Sequence, residues 1–292
     1  MEGVSVSPDQ TKLFAVLQSA TLQDSAADQS TRKNTRVLVY DISSDATPDK
    51  PIGHYVLELP VFDRDGTGGA PDRTAAQSEV LVLNDHQFLL LTRDGNGLGI
   101  DDGRPIVFKS IFLVDTTGAT NLIGTPYEDG ATPLPVVNAG KDLDTAQVTP
   151  VTAGELVNML NTDQLAHLGL TNAVVAAHPV VSTNLLSEKW ESFGLVSVFD
   201  TLNPDDYFLF VGNDNDFSTL DGVMREVSNP DGTPTGNAHY NSGVVNDSMI
   251  LVYRVTLPTL DAAAVPEPES IALLISGLAG AWVVRRRRKS KA

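Results

Sequence analysis

The sequence predicts an all-β fold with a short helical insertion and a helix at the C-terminal end. Short runs of Val, Leu, Ile, Phe and Tyr alternate with clusters of Asp, Asn, Gly and Pro, which is typical of antiparallel strands joined by turns. Clear examples are the runs 36–41, 55–59, 106–115 and 248–255. The chain has 292 residues, 41% of them apolar, so it can bury a core.

A weak internal repeat predicts how these strands are arranged. Three segments, which begin at Glu2, Glu79 and Glu191, each contain an alternating strand, a polar turn and a second apolar strand. The intervals between them are unequal and longer than one propeller blade, so each interval holds more than one sheet. We therefore predict a β-propeller, complete or incomplete, in which these three Glu residues converge on one axial face. A large β-sandwich with calcium-binding loops is the alternative.

The helical insertion is predicted from a capping box. Thr152 and Glu155 have the spacing of this motif, and the apolar residues that follow share one helix face. We therefore predict one broken helix, or two short ones, over 153–169. The Pro-, Gly- and Asp-rich stretch 130–144 is expected to be a long surface loop.

The last residues of the chain form a distinct unit. An apolar run over 271–284 is followed by a cluster of basic residues. We predict a transmembrane helix over 270–284, whose short length snorkelling arginines would compensate, with the basic tail in the cytoplasm and the body outside. A final core helix is the alternative. The predicted organisation is a propeller domain at 1–258, a linker at 259–269, the helix at 270–284 and the tail at 285–292.

Composition excludes several classes of function. The sequence contains no cysteine, which excludes disulfides, thiolate metal sites and a cysteine nucleophile. Asp and Glu number 37 against 20 Lys and Arg, and the net charge is −17. Because nucleic-acid binding needs a basic surface, this balance argues against a nucleic-acid partner.

Abundant oxygen ligands and absent soft ligands make Ca²⁺ the expected metal. The candidate ligands lie in loops where Asp alternates with Gly or Asn, and they are Asp63, Asp65, Asp94, Asp214 and Asp216. None of these loops completes the EF-hand pattern. Solvated turns, in which Asp, Asn and Gly accept unusual backbone angles, are the alternative.

The C-terminal unit resembles a known sorting signal. Val265, Pro266, Glu267 and Pro268 precede a short apolar helix that contains glycines, and an Arg run follows. This arrangement is similar to the PEP-CTERM signal of Gram-negative bacteria. The resemblance implies an exosortase as a partner, cleavage near the Pro-Glu-Pro element and delivery to the cell envelope, often alongside exopolysaccharide.

The body of the chain resembles a second family. The pattern at 2–18, the block 78–95 and the element 213–217 look like the Glu-Gly, Ser-Pro-Asp and Asp-Asn-Asp-Phe motifs of the phytase-like family, named for the esterase-like activity of phytase. The resemblance implies a β-propeller, an extracytoplasmic location and hydrolase activity on phosphate or other esters. The match at Glu191 is looser than the matches at Glu2 and Glu79.

These residues suggest an active face. Glu2, Glu79 and Glu191 would hold calcium, Arg93 would pair with a substrate anion, and a metal-bound water would attack the ester. In the alternative, these Glu residues cap strands or pair with nearby Arg residues. The protein would then be a non-catalytic propeller that binds exopolysaccharide or a surface protein.

The N-terminal residues carry no export signal. Residues 1–30 contain no basic region followed by an apolar run. Since a sorting tail of this kind works only after export, we expect that the natural product has further sequence before Met1, including a signal peptide and further strands.

Overall fold

The computed structural model describes residues 2–25, 32–98, 104–138, 141–172, 184–215, 222–225, 237–240 and 246–257. In chain order, its elements are β1 (Gly3–Val6), β2 (Lys12–Val16), β3 (Asn34–Asp41), β4 (Gly53–Glu58), β5 (Val61–Phe62), β6 (Arg73–Thr74), β7 (Ala76–Val82), β8 (Gln87–Arg93), β9 (Lys109–Asp115), β10 (Val136–Val137), β11 (Asp142–Leu143), β12 (Thr152–Asn158), α1 (Thr162–His167), β13 (Lys189–Ser197), β14 (Asp206–Asp214), β15 (Gly222–Arg225), β16 (Asn237–Tyr240) and β17 (Ile250–Thr256). The all-β prediction is confirmed.

Three antiparallel sheets make up most of the structure. The first has the order β1-β2-β3-β4, the second β7-β8-β9-β12 and the third β13-β14-β17. The pairs β5-β6, β10-β11 and β15-β16 are separate two-stranded ribbons. Each large sheet is an antiparallel meander, which the β10-β11 ribbon interrupts before β12 in the second sheet and the β15-β16 ribbon interrupts before β17 in the third. None of the described sheets closes on itself.

The predicted repeat corresponds to the first hairpin of each large sheet. The segments that begin at Glu2, Glu79 and Glu191 form β1-β2, β7-β8 and β13-β14. The first strands of these sheets are neighbours, because β7 contacts both β1 and β13. The equivalent first strands of the repeat therefore lie side by side, with β7 between β1 and β13.

Two apolar cores hold the sheets together. Between the first and second sheets, Phe14 and Phe88 pack with ring centroids 5.8 Å apart. Between the second and third sheets, the core is built around Trp190, Leu91 and Leu209, all fully buried. Each core is formed by side chains from the strands of two neighbouring sheets. Separating the two sheets would therefore expose this apolar area to water.

The predicted helix over 153–169 is largely wrong. Residues Thr152–Asn158 form β12, which pairs with β9 at the edge of the second sheet. The helix α1 begins only after Asn161, whose side-chain oxygen accepts hydrogen bonds from two backbone N–H groups of the first turn. Pairing along the free edge of β9 outweighs the local capping pattern at Thr152.

Two further predictions concern the surface loop 130–144 and the transmembrane segment 270–284. The stretch 130–144 is mainly loop, as predicted, but it contains the small β10-β11 ribbon. The predicted transmembrane segment 270–284 lies outside the described residues. Among the residues that are described, no helix has the length and apolar character needed to cross a membrane.

Candidate functional site

The first strands β1 and β7 approach each other very closely. A Cβ atom at Gly3 would lie only 2.0 Å from Val80 Cγ2, so the first position of β1 requires glycine. With its amide oriented to suit its donors, Gln77 accepts hydrogen bonds from the N–H groups of Gly3 and Glu79, both at 3.2 Å. The N–H of Val82 donates to the Ser5 hydroxyl at 3.1 Å. These contacts hold the two strands in one register.

The strands β7 and β13 are joined in a similar way. The buried Ser78 hydroxyl donates to the carbonyl of Trp190 at 2.8 Å. The indole N–H of Trp190 in turn donates to the carbonyl of Ser187 at 2.9 Å. Because Ser78 and Trp190 each precede a repeat glutamate, this contact places Glu79 and Glu191 at equivalent points on adjacent strands.

Glu79, Glu191 and Arg93 form a charged cluster at this point. The Arg93 guanidinium is almost fully buried, at 7% exposed, and forms an ion pair with the Glu191 carboxylate. Glu79 is half-buried, and one of its carboxylate oxygens accepts from the N–H of Val80 at 2.7 Å. Burial, together with the nearby negative charge of Glu191, raises the pKa of Glu79.

Glu2, the first of the three repeat glutamates along the chain, lies outside this cluster. Glu2 precedes β1 and is exposed. It takes no part in the Arg93–Glu191 pair, and it is not among the charges that raise the pKa of Glu79. The structure thus brings two of the three predicted carboxylates together. It also shows that the positive charge of Arg93, which the sequence assigned to a substrate anion, is already paired with Glu191.

A second ion pair lies directly beneath the cluster. The fully buried Lys109 ammonium donates to Asp94 Oδ1 at 2.8 Å, to the carbonyl of Asn96 at 2.8 Å and to the carbonyl of Glu188 at 2.9 Å. Asp94 follows Arg93 in the chain, and Glu188 lies just before β13. Lys109 therefore connects the two segments that carry Arg93 and Glu191.

This pair changes the interpretation of Asp94. Its second oxygen accepts from the N–H groups of Val107 and Phe108, at 2.6 and 2.9 Å. Since a lysine and backbone donors occupy both oxygens, Asp94 acts here as a structural anchor. The sequence carried one signal of this pair, because Lys109 interrupts an otherwise apolar strand, and buried lysines need partners.

Among the described residues, the remaining predicted metal ligands are not grouped together. Asp63 is satisfied within its own loop by the N–H groups of Asp65 and Gly69, at 3.1 and 2.7 Å, and these bonds lower its pKa. Asp214 is exposed at the end of β14, and Asp216 lies outside the described residues. In the part of the chain that is described, no three His, Cys, Asp or Glu side chains are grouped so that they could hold a metal ion.

The predicted sorting residues Pro266, Glu267 and Pro268 also lie outside the described residues. Residues 264–288 nevertheless match the profile of the PEP-CTERM protein-sorting motif. This motif implies processing by an exosortase and, with the secreted relative described below, supports export to the cell envelope.

The main part of the chain matches one family profile and one curated relative. Residues 1–217 match the family described as esterase-like activity of phytase. An "uncharacterized secreted protein" of Arthroderma benhamiae is 30% identical over 233 residues, which cover 77% of this chain and 44% of the relative. The chain thus spans less than half the length of that relative. No solved structure matches the chain. Over three quarters of the described strands fall within the region that matches the family profile. Because this profile covers more than half of the chain, the chain belongs to the phytase-like family.

Proposed function

We propose that this protein is an exported ester hydrolase whose active site is the cluster of Glu79, Glu191 and Arg93. Family membership and the sorting motif support the coarse assignment of an exported, hydrolase-like protein. The observation that carries the finer assignment is the interaction between Glu79 and Glu191. Two carboxylates that share a partly buried place, with the pKa of one of them raised, are typical of acid–base sites.

The proposed chemistry uses Glu79 as the general base. Because the pKa of Glu79 is raised, its carboxylate is a stronger base than an ordinary one and takes up a proton more readily near neutral pH. Glu79 removes a proton from a water molecule as the oxygen attacks the carbonyl carbon of the ester. The same proton then passes to the departing alcohol as the C–O bond breaks. Arg93 acts as a positioning residue, because its ion pair fixes the Glu191 carboxylate beside Glu79.

The charges around the cluster favour an uncharged ester as the substrate. Arg93 is already neutralised by Glu191, and the body of the chain is strongly acidic. A phosphate ester would approach a cluster whose net charge is negative, because Arg93 offsets only one of its two carboxylates. We therefore propose carboxylic esters as the substrates, with phosphate esters accepted only when a divalent cation accompanies them.

The cluster by itself does not fit a calcium site. Calcium takes about six to eight oxygen ligands, whereas the described residues bring together only the carboxylates of Glu79 and Glu191. No step of the proposed reaction therefore uses calcium. Calcium dependence is tested separately, by comparing hydrolysis after treatment with EGTA and after addition of CaCl₂. Hydrolysis of p-nitrophenyl phosphate that appears only with calcium would support a role for the ion.

The test of the active site compares matched glutamine variants on p-nitrophenyl butyrate. Glu79→Gln removes the base, and we expect the rate to fall by about 10²- to 10⁴-fold. The control is Glu155→Gln, on the far edge of the same sheet, where the exposed carboxylate only accepts from the Ser110 hydroxyl at 2.7 Å. The control should keep its activity. Full activity in Glu79→Gln, with a melting temperature no lower than that of the wild type, would refute the assignment.

We also propose that the three large sheets are consecutive blades of a β-propeller. The support is that each is a meander and that their first strands, β1, β7 and β13, are direct neighbours. An experimental structure in which these strands surround one axis would establish the proposal. A face-to-face stack of sheets without a common axis would establish the sandwich alternative.

The envelope assignment also includes a proposed anchor. We propose that 270–284 holds the protein in the membrane until an exosortase cleaves near Pro266. Retention of a Pro266→Ala, Pro268→Ala variant in the membrane fraction, with release of the wild-type protein, would support this order of events. Equal release of both proteins would contradict it.

A further inference from the structure

A cavity of about 380 Å³ lies between the outer strands of the second and third sheets, far along each sheet from the strands that carry the glutamate cluster. Its walls are β12, the N-terminal part of α1 and β17. Apolar side chains of Val157 and Val255 line part of it, and polar side chains line the rest. The volume is within the range of small-molecule sites.

Asparagine side chains give the cavity donors in fixed positions. The Asn158 oxygen accepts from the N–H of Leu160 at 2.9 Å, and the Asn161 oxygen caps α1 by accepting from two N–H groups at 3.1 Å. The oxygens are thus used by the local backbone, which fixes both side chains. Their amide nitrogens have no protein partner among the described residues. The exposed Gln164 side chain adds a further amide to the cavity wall.

A tyrosine hydroxyl in the cavity wall offers a further hydrogen-bonding group to a ligand. Tyr253 is 9% exposed, and within the described part of the chain its hydroxyl has no hydrogen-bond partner. Burial raises the pKa of Tyr253 to about 12, so the hydroxyl stays protonated and can both donate and accept. The hydroxyl opens onto the cavity, where a ligand hydroxyl would supply the hydrogen-bond partner that the described protein residues do not supply.

The charge of the cavity indicates what kind of ligand it takes. Among the described lining residues, Arg254 is the one that carries a charge, and its guanidinium is bound by Asp206 at 2.6 and 2.8 Å. No acidic side chain in the described part of the chain lines the cavity. An anion would therefore find no free cation, and a cation would find no carboxylate. Amide and hydroxyl groups beside the apolar side chains of Val157 and Val255 instead suit a molecule with many hydroxyl groups and an apolar face.

We propose that this cavity binds a neutral carbohydrate unit, held by Asn158, Asn161, Gln164 and Tyr253. The site lies apart from the glutamate cluster, so the proposal stands whether or not that cluster hydrolyses esters. It assigns the protein a contact with glycans on a surface that the proposed reaction does not use.

The test is ligand-observed NMR on the full chain in a buffer free of sugar-based detergents, with cellobiose, maltose and glucuronic acid as probes. We expect saturation transfer to at least one neutral disaccharide, with a millimolar dissociation constant. Tyr253→Phe removes only the hydroxyl and should weaken binding roughly tenfold, the equivalent of one buried hydrogen bond. The control is Tyr207→Phe, a buried tyrosine on β14 that does not line the cavity, and it should bind as the wild type does.

Two further variants keep the test decisive if Tyr253→Phe does not fold. Asn161→Asp keeps the oxygen that caps α1 but replaces the donor in the cavity, and Gln164→Ala changes an exposed side chain. Both should weaken sugar binding while the circular dichroism spectrum stays unchanged. No transfer to either disaccharide at roughly 10 mM would overturn the proposal. So would equal affinities of the two phenylalanine variants, or tighter binding of glucuronic acid than of the neutral sugars.

Discussion

Replacing Asp94 with Asn tests the buried ion pair beneath the glutamate cluster. The carboxylate receives Lys109 Nζ at 2.8 Å and the N–H of Asn96 at 3.2 Å on one oxygen. It receives the N–H groups of Val107 and Phe108 on the other oxygen, at 2.6 and 2.9 Å. An asparagine has the same shape but only one acceptor oxygen. Whichever way its amide is turned, its NH₂ group would face two donors.

The expected loss of stability is large because water does not reach this place. Lys109 is fully buried, so without the carboxylate its charge loses the one counter-ion that hydrogen-bonds to it. Removing one partner of a buried pair costs about 3–5 kcal/mol, and we expect the free energy of unfolding to fall by that amount. The control is Asp41→Asn at an exposed turn, where Asp41 accepts from the N–H and hydroxyl of Ser43. An asparagine can accept both bonds there.

Urea unfolding followed by fluorescence of the buried Trp190 measures both variants. A pH series adds a second readout. Burial lowers the pKa of Lys109, and Asp94 opposes this effect. Without Asp94, folded Lys109 should lose its proton at a lower pH than in the unfolded chain, so the stability of Asp94→Asn should rise as the solution becomes alkaline. A loss under about 1 kcal/mol, or one that does not change with pH, would refute the reasoning.

Three further predictions concern stability. Gly3→Ala would place a Cβ 2.0 Å from Val80 Cγ2 and 2.2 Å from Gln77 Nε2, and it should cost about 1–3 kcal/mol in a melting experiment, whereas Gly154→Ala, at a position with open space around it, should cost less than about 1 kcal/mol. Burial lowers the pKa of His54 from 6.5 to about 4, so between these pH values the imidazole is protonated in the unfolded chain but neutral in the folded protein. The free energy of unfolding should therefore fall by roughly 3 kcal/mol as the pH is lowered from 6.5 to about 4. A His54→Gln variant measured in the same pH series should not show this fall. The raised pKa of Glu79 means that its charge is unfavourable in the folded state, so Glu79→Gln should raise the melting temperature at neutral pH. That gain should disappear as the pH falls below the ordinary carboxyl range, and a gain that persists in acid would contradict the assignment.

The sequence predicted the strands and the repeat well, because both depend on local alternation of apolar and polar residues. The helix over 153–169 was wrong because the residues of β12 satisfy their backbone groups by pairing with β9, a partner remote in sequence. Asn161, the residue that does cap α1, gives no stronger local signal than Thr152 did.

Predictions about the site depended on contacts that a linear pattern does not contain. An Asp beside Gly and Asn has the same local sequence in a cation loop and in an anchored turn. What decides the role of Asp94 is Lys109, which lies on the next strand. The repeat predicted that Glu79 and Glu191 lie together, but the pairing of Arg93 with Glu191 depends on which side chains point to the same side of adjacent sheets.

The hydrogen bonds of Lys109 have a consequence for how the protein unfolds. Two of its three acceptors, Asp94 and the carbonyl of Asn96, belong to the loop that follows β8, and the third is the carbonyl of Glu188 at the start of the third sheet. The second sheet alone cannot satisfy this ammonium. Opening the third sheet would expose the charge and the apolar core together, so the two sheets should behave as one cooperative unit. In native-state hydrogen exchange, the amides of β8, β9 and β14 should share a single opening free energy.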